Sequence, residues 1–214
     1  MSGPGAFVLS GDRIVGAIGA PERQLLQQLL GSVAGMLEAD DAGAADPLAE
    51  LVGWDDEAQV PVDPALRRLL PDGVHDDEEA ALEFRRFTER SLRQGKVSAL
   101  KAAAVMLESR ELQLSREQAE ILVRALNDIR LVLAERLDLY ASAGDSDAAP
   151  SALDPEATER DGLSQLYYFV TFVHGRLVLA LLEMLRRDAD TDPDTPDTGA
   201  GSGSPEADHS GPQQ

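Results

Sequence analysis

The sequence predicts a mainly α protein, a single-domain helical bundle with a short β-hairpin at its N-terminus. Of the 214 residues, 43% are hydrophobic and 4% are aromatic, and Leu and Ala supply most of the apolar content, which favours helix packing over a large sheet. Long stretches also repeat apolar residues every three or four positions, the spacing of one helix face. We expect one folded domain over residues 6–187, with disordered ends at residues 1–5 and 188–214.

The N-terminal region predicts a hairpin followed by a helix. Two short runs rich in Val and Ile, Ala6–Ser10 and Arg13–Ile18, flank a Ser-Gly-Asp turn. A lone hairpin is only marginally stable in water, so we expect it to lie against helices. Pro21 then suits the first turn of a helix, which the apolar pattern extends to about Glu38.

The next segment, residues 39–62, is acidic and rich in Gly, Ala and Pro, and only DPLAELVGW within it resembles a helical turn. We expect Trp54 to fold back on the core edge. A short helix, ALRRLL, follows the Asp63-Pro64 pair, and Asp76 is expected to cap the helix after it. Gly95 is expected to break or bend that longer helix.

Residues 84–101 form a basic segment in an otherwise acidic chain, with six Lys and Arg side chains against the single acid Glu89. One interpretation is a solvated basic face that pairs with nearby acids, Glu78, Glu79 and Glu83. The other is a docking surface for a phosphate backbone or an acidic protein. The apolar side chains of this stretch, among them Phe84, Phe87 and Leu92, are expected to supply apolar contacts. The candidate partner-binding residues are Arg85, Arg86, Arg90, Arg93 and Lys96.

The clearest helix runs from Ser115 to Leu139. Ser115 and Gln118 have the spacing of a capping box. Apolar residues recur behind that start at Leu122, Leu126, Ile129, Leu133 and Leu137, and Ile121, Ala125 and Val132 widen the stripe. This pattern predicts a core helix with neighbours on more than one side. Asp128 is assigned to the opposite strip, which is expected to be solvated.

The last predicted helix, residues 162–187, follows an acidic loop expected at residues 141–159. It is apolar on nearly all faces, so we expect it to be the helix most enclosed by the others, with Val173 in the core. About twenty apolar residues would also suffice to cross a membrane. Gln165, His174 and Arg176 interrupt the run and the sequence shows no second span, so we favour the core helix and expect no membrane partner.

The composition argues against most enzyme and nucleic-acid classes. A net charge of −20 opposes general affinity for nucleic acid, which needs clustered Lys and Arg. The chain has no cysteine, and its three histidines, His75, His174 and His209, do not have the spacing of a metal site or a catalytic base. The only Gly-rich run lies in the tail. We expect no enzyme activity, cofactor or small-molecule substrate, and the lack of an export signal predicts a cytoplasmic protein.

Four stretches in order carry a family resemblance: the hairpin followed by PERQLLQQLL, then DPALRRLLPD, DDEEAALEFRRFTERSLRQGK and VRALNDIRLVLAERL. They resemble the actinobacterial AosR-like family over about residues 6–186. The family was long catalogued only as a domain of unknown function. Its members are commonly labelled oxidative stress transcriptional regulators and are often encoded beside the Clp protease adaptor ClpS.

The resemblance implies the fold and a regulatory role in the oxidative stress response, exerted by contact with a sigma factor or RNA polymerase. Redox sensing in the family is described through a cysteine pair, which this chain does not have, so direct peroxide sensing is not implied. The chain resembles no helix-turn-helix reader, and direct DNA binding stays open. The alternative is an adaptor or assembly factor linked to Clp-dependent protein turnover, as the family's gene neighbourhood suggests.

Overall fold

The helices and strands follow the expected order in a computed structural model, which describes residues 7–39, 59–139 and 155–191. Short antiparallel strands and long helices make up this part of the chain, so the predicted fold class, mainly α with an N-terminal hairpin, is confirmed. The elements, numbered in chain order, are β1 Phe7–Ser10, β2 Arg13–Ala17, α1 Ala20–Ala39, α2 Pro64–Leu69, α3 Glu78–Met106, β3 Glu111–Leu114, α4 Arg116–Arg136 and α5 Pro155–Thr191.

The hairpin belongs to a three-stranded antiparallel sheet in the order β1-β2-β3. Gly11 occupies the β1–β2 turn with φ +60°, a conformation that favours glycine. The third strand was not predicted. It pairs with β2 so that Ile14 lies opposite Leu114, and both side chains are buried. The sheet thus places an apolar face against the helices, as expected for strands too short to be stable alone.

The central position of α4 is confirmed. It contacts α5, α3, α2 and α1, and Ile129 at its middle is fully buried. Val173 of α5 is also buried and belongs to the same core. The capping box at the start of α4 is present in both directions, between Ser115 and Gln118. This helix therefore forms where its cap and its apolar stripe predict.

The long helix α3 differs from expectation at two points. Its N-cap is Asp77, whose side chain accepts from the backbone N–H groups of Glu79 and Ala80, so the assignment to Asp76 was wrong by one residue. The helix also continues through Gly95 without a break. A single glycine costs about 1 kcal/mol relative to alanine in a helix, which the packing of a long helix can offset.

The last helix, α5, is longer and more exposed than predicted. It begins at Pro155, within the expected loop, and continues past Arg187 to Thr191. The prediction that it is the most enclosed helix is wrong, because only 33% of the most apolar 18-residue stretch of α5 is buried. Its exposed large apolar side chains are Tyr168, Phe172, Leu179 and Leu182.

Residues Arg160–Ala189 of α5 are long and apolar enough to cross a membrane, with a mean hydropathy of 1.5 over their most apolar 18 residues. A single such helix is weak evidence for a span, because a core helix of a soluble protein can pass the same test. Val170 and Leu177 of α5 lie in the core cluster, with no exposure to solvent. The expectations for residues 1–5, for Trp54 and for most of the C-terminal tail lie outside the described residues.

Candidate functional site

Three charged side chains of the basic segment form a buried ladder along α3. Glu89 accepts hydrogen bonds from Arg85, one turn before it, and from Arg93, one turn after it, where Arg93 Nη2 lies 2.6 Å from Glu89 Oε1. Arg85 and Arg93 are only 5% and 4% exposed. Residues four apart share one helix face. Here that face is turned towards the rest of the protein.

Both guanidinium groups of this ladder bind the carboxyl ends of other helices. Arg93 Nη1 donates to the Leu37 carbonyl oxygen near the end of α1 at 2.8 Å. Arg85 Nη2 donates to the carbonyl oxygen of Leu70, which follows α2, at 3.1 Å, and to Asp72 at 2.7 Å. A cation at a helix C-terminus satisfies carbonyl groups that lack helical partners and complements the helix dipole. The ladder therefore joins α1 and α2 to α3.

The ionisation of Arg85 reflects this environment. Burial by itself would lower the pKa of Arg85, but hydrogen bonds to Asp72 and Glu89 outweigh it, so the pKa lies above its ordinary value. The group therefore stays charged at any physiological pH. A buried pair of this kind is costly to break, because removal of one partner leaves the other charge desolvated.

These contacts correct the predicted docking set. Arg85 and Arg93 are not available on an exposed face, since α1 and the segment after α2 cover them. Lys96 is bound to Asp128 of α4 at 2.7 Å. The expected acidic partners Glu78, Glu79 and Glu83 form no ion pair with the basic segment among the described residues. The partners are Glu89, Asp72 and Asp128, which tertiary packing brings into reach.

Four other residues in the N-terminal half of α3 are here called the α3 face: Phe84, Arg86, Phe87 and Arg90. The two arginines are half-buried, and the aromatic side chains are 48% and 54% exposed. The ring of Phe84 also lies against Gly73, where an added Cβ would come within 2.5 Å of it. Phe84, Phe87 and Leu92, which were expected to supply apolar contacts, lie outside the buried core, since all three are more than 40% exposed.

On another side of α3, an open groove of about 800 Å³ lies between α3 and α4. Small side chains of α3 line it, together with Arg124, Asn127 and Asp128 of α4 and His174 of α5. The Lys96–Asp128 pair crosses this groove. Beside it, Arg130 donates to Asn127 Oδ1 at 3.1 Å and to Thr171 Oγ1 at 3.2 Å, which links α4 to α5.

Burial shifts the pKa of two groups in the groove. Desolvation raises the pKa of Asp128, and the hydrogen bond and charge of Lys96 oppose that rise in part. Desolvation lowers the pKa of His174, and the nearby positive charge of Arg130 lowers it further. His174 is therefore neutral at pH 7, since its pKa lies below the ordinary 6.5.

Within residues 7–39, 59–139 and 155–191, no group of three or more His, Cys, Asp and Glu side chains has the arrangement of a metal site. Asp128 and Lys96 form one ion pair and His174 has no acidic partner among its described contacts, so the groove presents no base paired to a nucleophile. What this arrangement can do chemically is bind, with a few polar groups set in apolar walls.

Sequence reasoning missed the role of Asp128, which was assigned to the solvated strip. It lies three residues after Ala125 and four before Val132, both recognised as extensions of the apolar stripe, and all three are buried. Helical spacing thus already placed Asp128 on the covered side. Its partner Lys96, 32 residues earlier, could not be deduced from spacing.

Residues 4–181 match the family described as Domain of unknown function (DUF2017), which covers most of the chain. The chain belongs to the DUF2017 family. A relative from Mycobacterium tuberculosis named "Oxidative stress regulator AosR" is 32% identical over 146 residues, which is 60% of this chain and 67% of the relative. The same figures apply to the protein of that name from Mycobacterium bovis.

A relative from Mycobacterium leprae, named "Putative oxidative stress regulator AosR", is 29% identical over 204 residues. This alignment covers 84% of the DUF2017 chain described here and 91% of the relative. The resemblance to the AosR-like family is thus confirmed. No solved structure matches the chain.

Proposed function

We propose that this DUF2017 protein is a non-enzymatic regulator in the oxidative stress response that acts by contact with another protein, a sigma factor or RNA polymerase. The observation that carries the regulatory part is the name shared by its relatives, which are oxidative stress regulators. The finer part, contact with the transcription machinery, rests on the family resemblance and on the character of the α3 face.

The α3 face has the side chains that dominate protein interfaces. Arginine and aromatic residues are enriched at interface positions where truncation costs most binding energy. Arg86 and Arg90 are four residues apart and share a helix face, with Phe87 beside them. A positive patch on a protein of charge −20 also favours one orientation of an acidic partner surface. These features support docking through the N-terminal half of α3.

The same residues offer little to DNA. Affinity for a phosphate backbone depends on how many phosphates are neutralised. Of the basic residues once considered, Arg85 and Arg93 are buried against Glu89, and Lys96 is bound to Asp128. Two half-buried arginines, Arg86 and Arg90, on a strongly acidic protein would neutralise few phosphates, which supports a protein partner over a nucleic acid.

Affinity purification of the tagged protein from its native cell, with and without nuclease, tests the proposal. We expect sigma or polymerase subunits to be recovered independently of nucleic acid. The double change Arg86→Glu and Arg90→Glu should abolish that recovery. The matched control, Arg110→Glu with Arg116→Glu, makes the same change in net charge at exposed positions elsewhere and should leave recovery unchanged.

Thermal melting separates docking from folding in this experiment. The control positions are exposed, where ion pairs contribute only about 0.3–0.5 kcal/mol each, so the control variant should melt close to the wild type. Arg86 and Arg90 are half-buried, so lost recovery is assigned to docking when their double variant is still folded at the assay temperature. Equal loss of recovery in both variants would point to net charge and contradict the assignment to the α3 face. Recovery of Clp components in place of polymerase and sigma subunits would refute the proposed partner.

A further inference from the structure

The groove between α3 and α4, which the proposed docking through the α3 face does not use, has the dimensions of a ligand site. Its volume of about 800 Å³ lies within the roughly 300–1,000 Å³ typical of small-molecule pockets. Ser91, Gly95 and Ser98 of α3 follow the spacing of one helix face, and their small side chains leave the space open.

The walls of the groove divide into a polar end and an apolar end. Lys96 meets Asp128 at one point along the two helices, which run antiparallel. Ala102 and Ile121 line the groove further towards the C-terminal end of α3. Arg124 lies one helical turn from Asp128 on the same side of α4, between these two ends.

The polar part of the groove, from the Lys96–Asp128 pair to Arg124, carries a net positive charge. Lys96 and Arg124 are cationic, Asp128 is the single carboxylate among the described lining residues, and His174 is neutral at pH 7. A lysine ammonium has three N–H donors, and Asp128 Oδ1, at 2.7 Å, is its one described acceptor. With its side chain 20% exposed, Lys96 can donate to a second acceptor while it keeps Asp128.

We propose that this groove binds a small amphipathic carboxylate, with the carboxylate group between Lys96 and Arg124 and the apolar chain along Ala102 and Ile121. The excess positive charge selects an anion, and the apolar walls select its hydrocarbon part. Asp128 limits the affinity for anions that have no apolar part, because it already neutralises one of the two cations.

Calorimetric titration of the purified full-length protein with decanoate, below its micelle concentration, tests the proposal. We expect saturable binding with one molecule per chain. Decyltrimethylammonium, which has the same chain and the opposite charge, should bind at least about tenfold more weakly, a difference of about 1.4 kcal/mol. Equal binding of both compounds, or binding of neither, would overturn the proposal.

Two variants assign the binding to the groove. Gly95→Leu places a side chain where a Cβ meets nothing within 4 Å, so it should fill the groove and abolish decanoate binding without disturbing the helix. The control Gly35→Leu makes the same change in α1, at an exposed position that is equally open. Decanoate affinity unchanged in Gly95→Leu, or lost in both variants, would refute the site.

A third variant tests the position of the ligand's carboxylate group independently of the volume of the groove. Arg124→Gln removes a charge from an exposed position, so the fold should be unaffected. The change should weaken decanoate binding about tenfold and leave decyltrimethylammonium binding unchanged or slightly stronger. Equal weakening of the two compounds would show that Arg124 contributes shape alone, which would contradict the assigned position of the carboxylate.

Discussion

Removal of the ammonium group in the change Lys96→Met should destabilise the protein strongly, because it leaves Asp128 without its cationic partner. The Asp128 side chain is 8% exposed and the Lys96 side chain 20% exposed. Breaking a buried pair by loss of one partner costs about 3–5 kcal/mol. Since Lys96 reaches solvent in part, we expect about 3 kcal/mol, which in a chain of this size lowers the melting temperature by roughly 6–12 °C.

The free energy of unfolding that is lost in Lys96→Met should depend on pH in a defined direction. Burial raises the pKa of the Asp128 carboxyl, and loss of Lys96 removes the influence that opposes this rise. A carboxyl whose pKa is higher in the folded state takes up its proton more readily when folded, so its contribution to stability increases as the pH falls through that raised pKa. The difference in the free energy of unfolding between Lys96→Met and the wild type should therefore be largest near neutral pH and shrink in acid.

A double variant separates the charge from the packing. Lys96→Met with Asp128→Leu replaces both partners by apolar side chains, a change that is often neutral or stabilising for buried pairs. Urea unfolding at pH 7 and in mild acid would measure the wild type, the single variants Lys96→Met and Asp128→Leu, and the double variant in one cycle. A loss below about 1 kcal/mol for Lys96→Met, or a double variant no more stable than the single one, would refute the assignment of Asp128 as a buried charge.

Three other outcomes are expected. Ile129→Asp buries a charge at a position with no exposure and should cost several kcal/mol, whereas Leu179→Asp, at 63% exposure, should cost little; equal melting temperatures would contradict the core assignment. Asp77→Ala removes the N-cap of α3 and should cost about 1 kcal/mol in chemical denaturation. Mild peroxide should leave melting and partner affinity unchanged, because the chain has no cysteine, Met184 is only 4% exposed, and Met36 and Met106 are partly buried against the core. A peroxide-dependent affinity of the purified protein would contradict this.

Local signals in the sequence were sufficient to locate the helices, although not all of their ends. The capping box of Ser115 and Gln118 and the stripe through Ile129 act within a few residues of one another, so α4 could be predicted closely. The strand β3 has only four residues, ELQL, and forms because β2 offers a free edge. Four residues of alternating polar and apolar character are too few to identify a strand from sequence. The strand is stabilised by pairing with a distant strand, which local sequence does not reveal.

The site could be predicted only in part, because its contacts join distant parts of the chain. The spacing of Arg85, Glu89 and Arg93 indicates one helix face but not whether it is covered. The acceptor of Arg93 on α1 is 56 residues away. The sequence therefore places the basic segment on one helix, while the division between buried Arg85 and half-buried Arg86 required the tertiary structure.

The central claim, that the protein acts through a protein partner, is tested most directly by equilibrium binding of the purified chain to purified RNA polymerase core and to individual sigma factors. We expect saturable binding to one of these without nucleic acid, with moderate salt dependence and with loss on Arg86→Glu and Arg90→Glu. DNA binding would instead weaken with salt by a log–log slope of about −0.9 per neutralised phosphate. Tight, sequence-specific DNA binding by the purified chain at physiological salt, with no other protein present, would contradict the account.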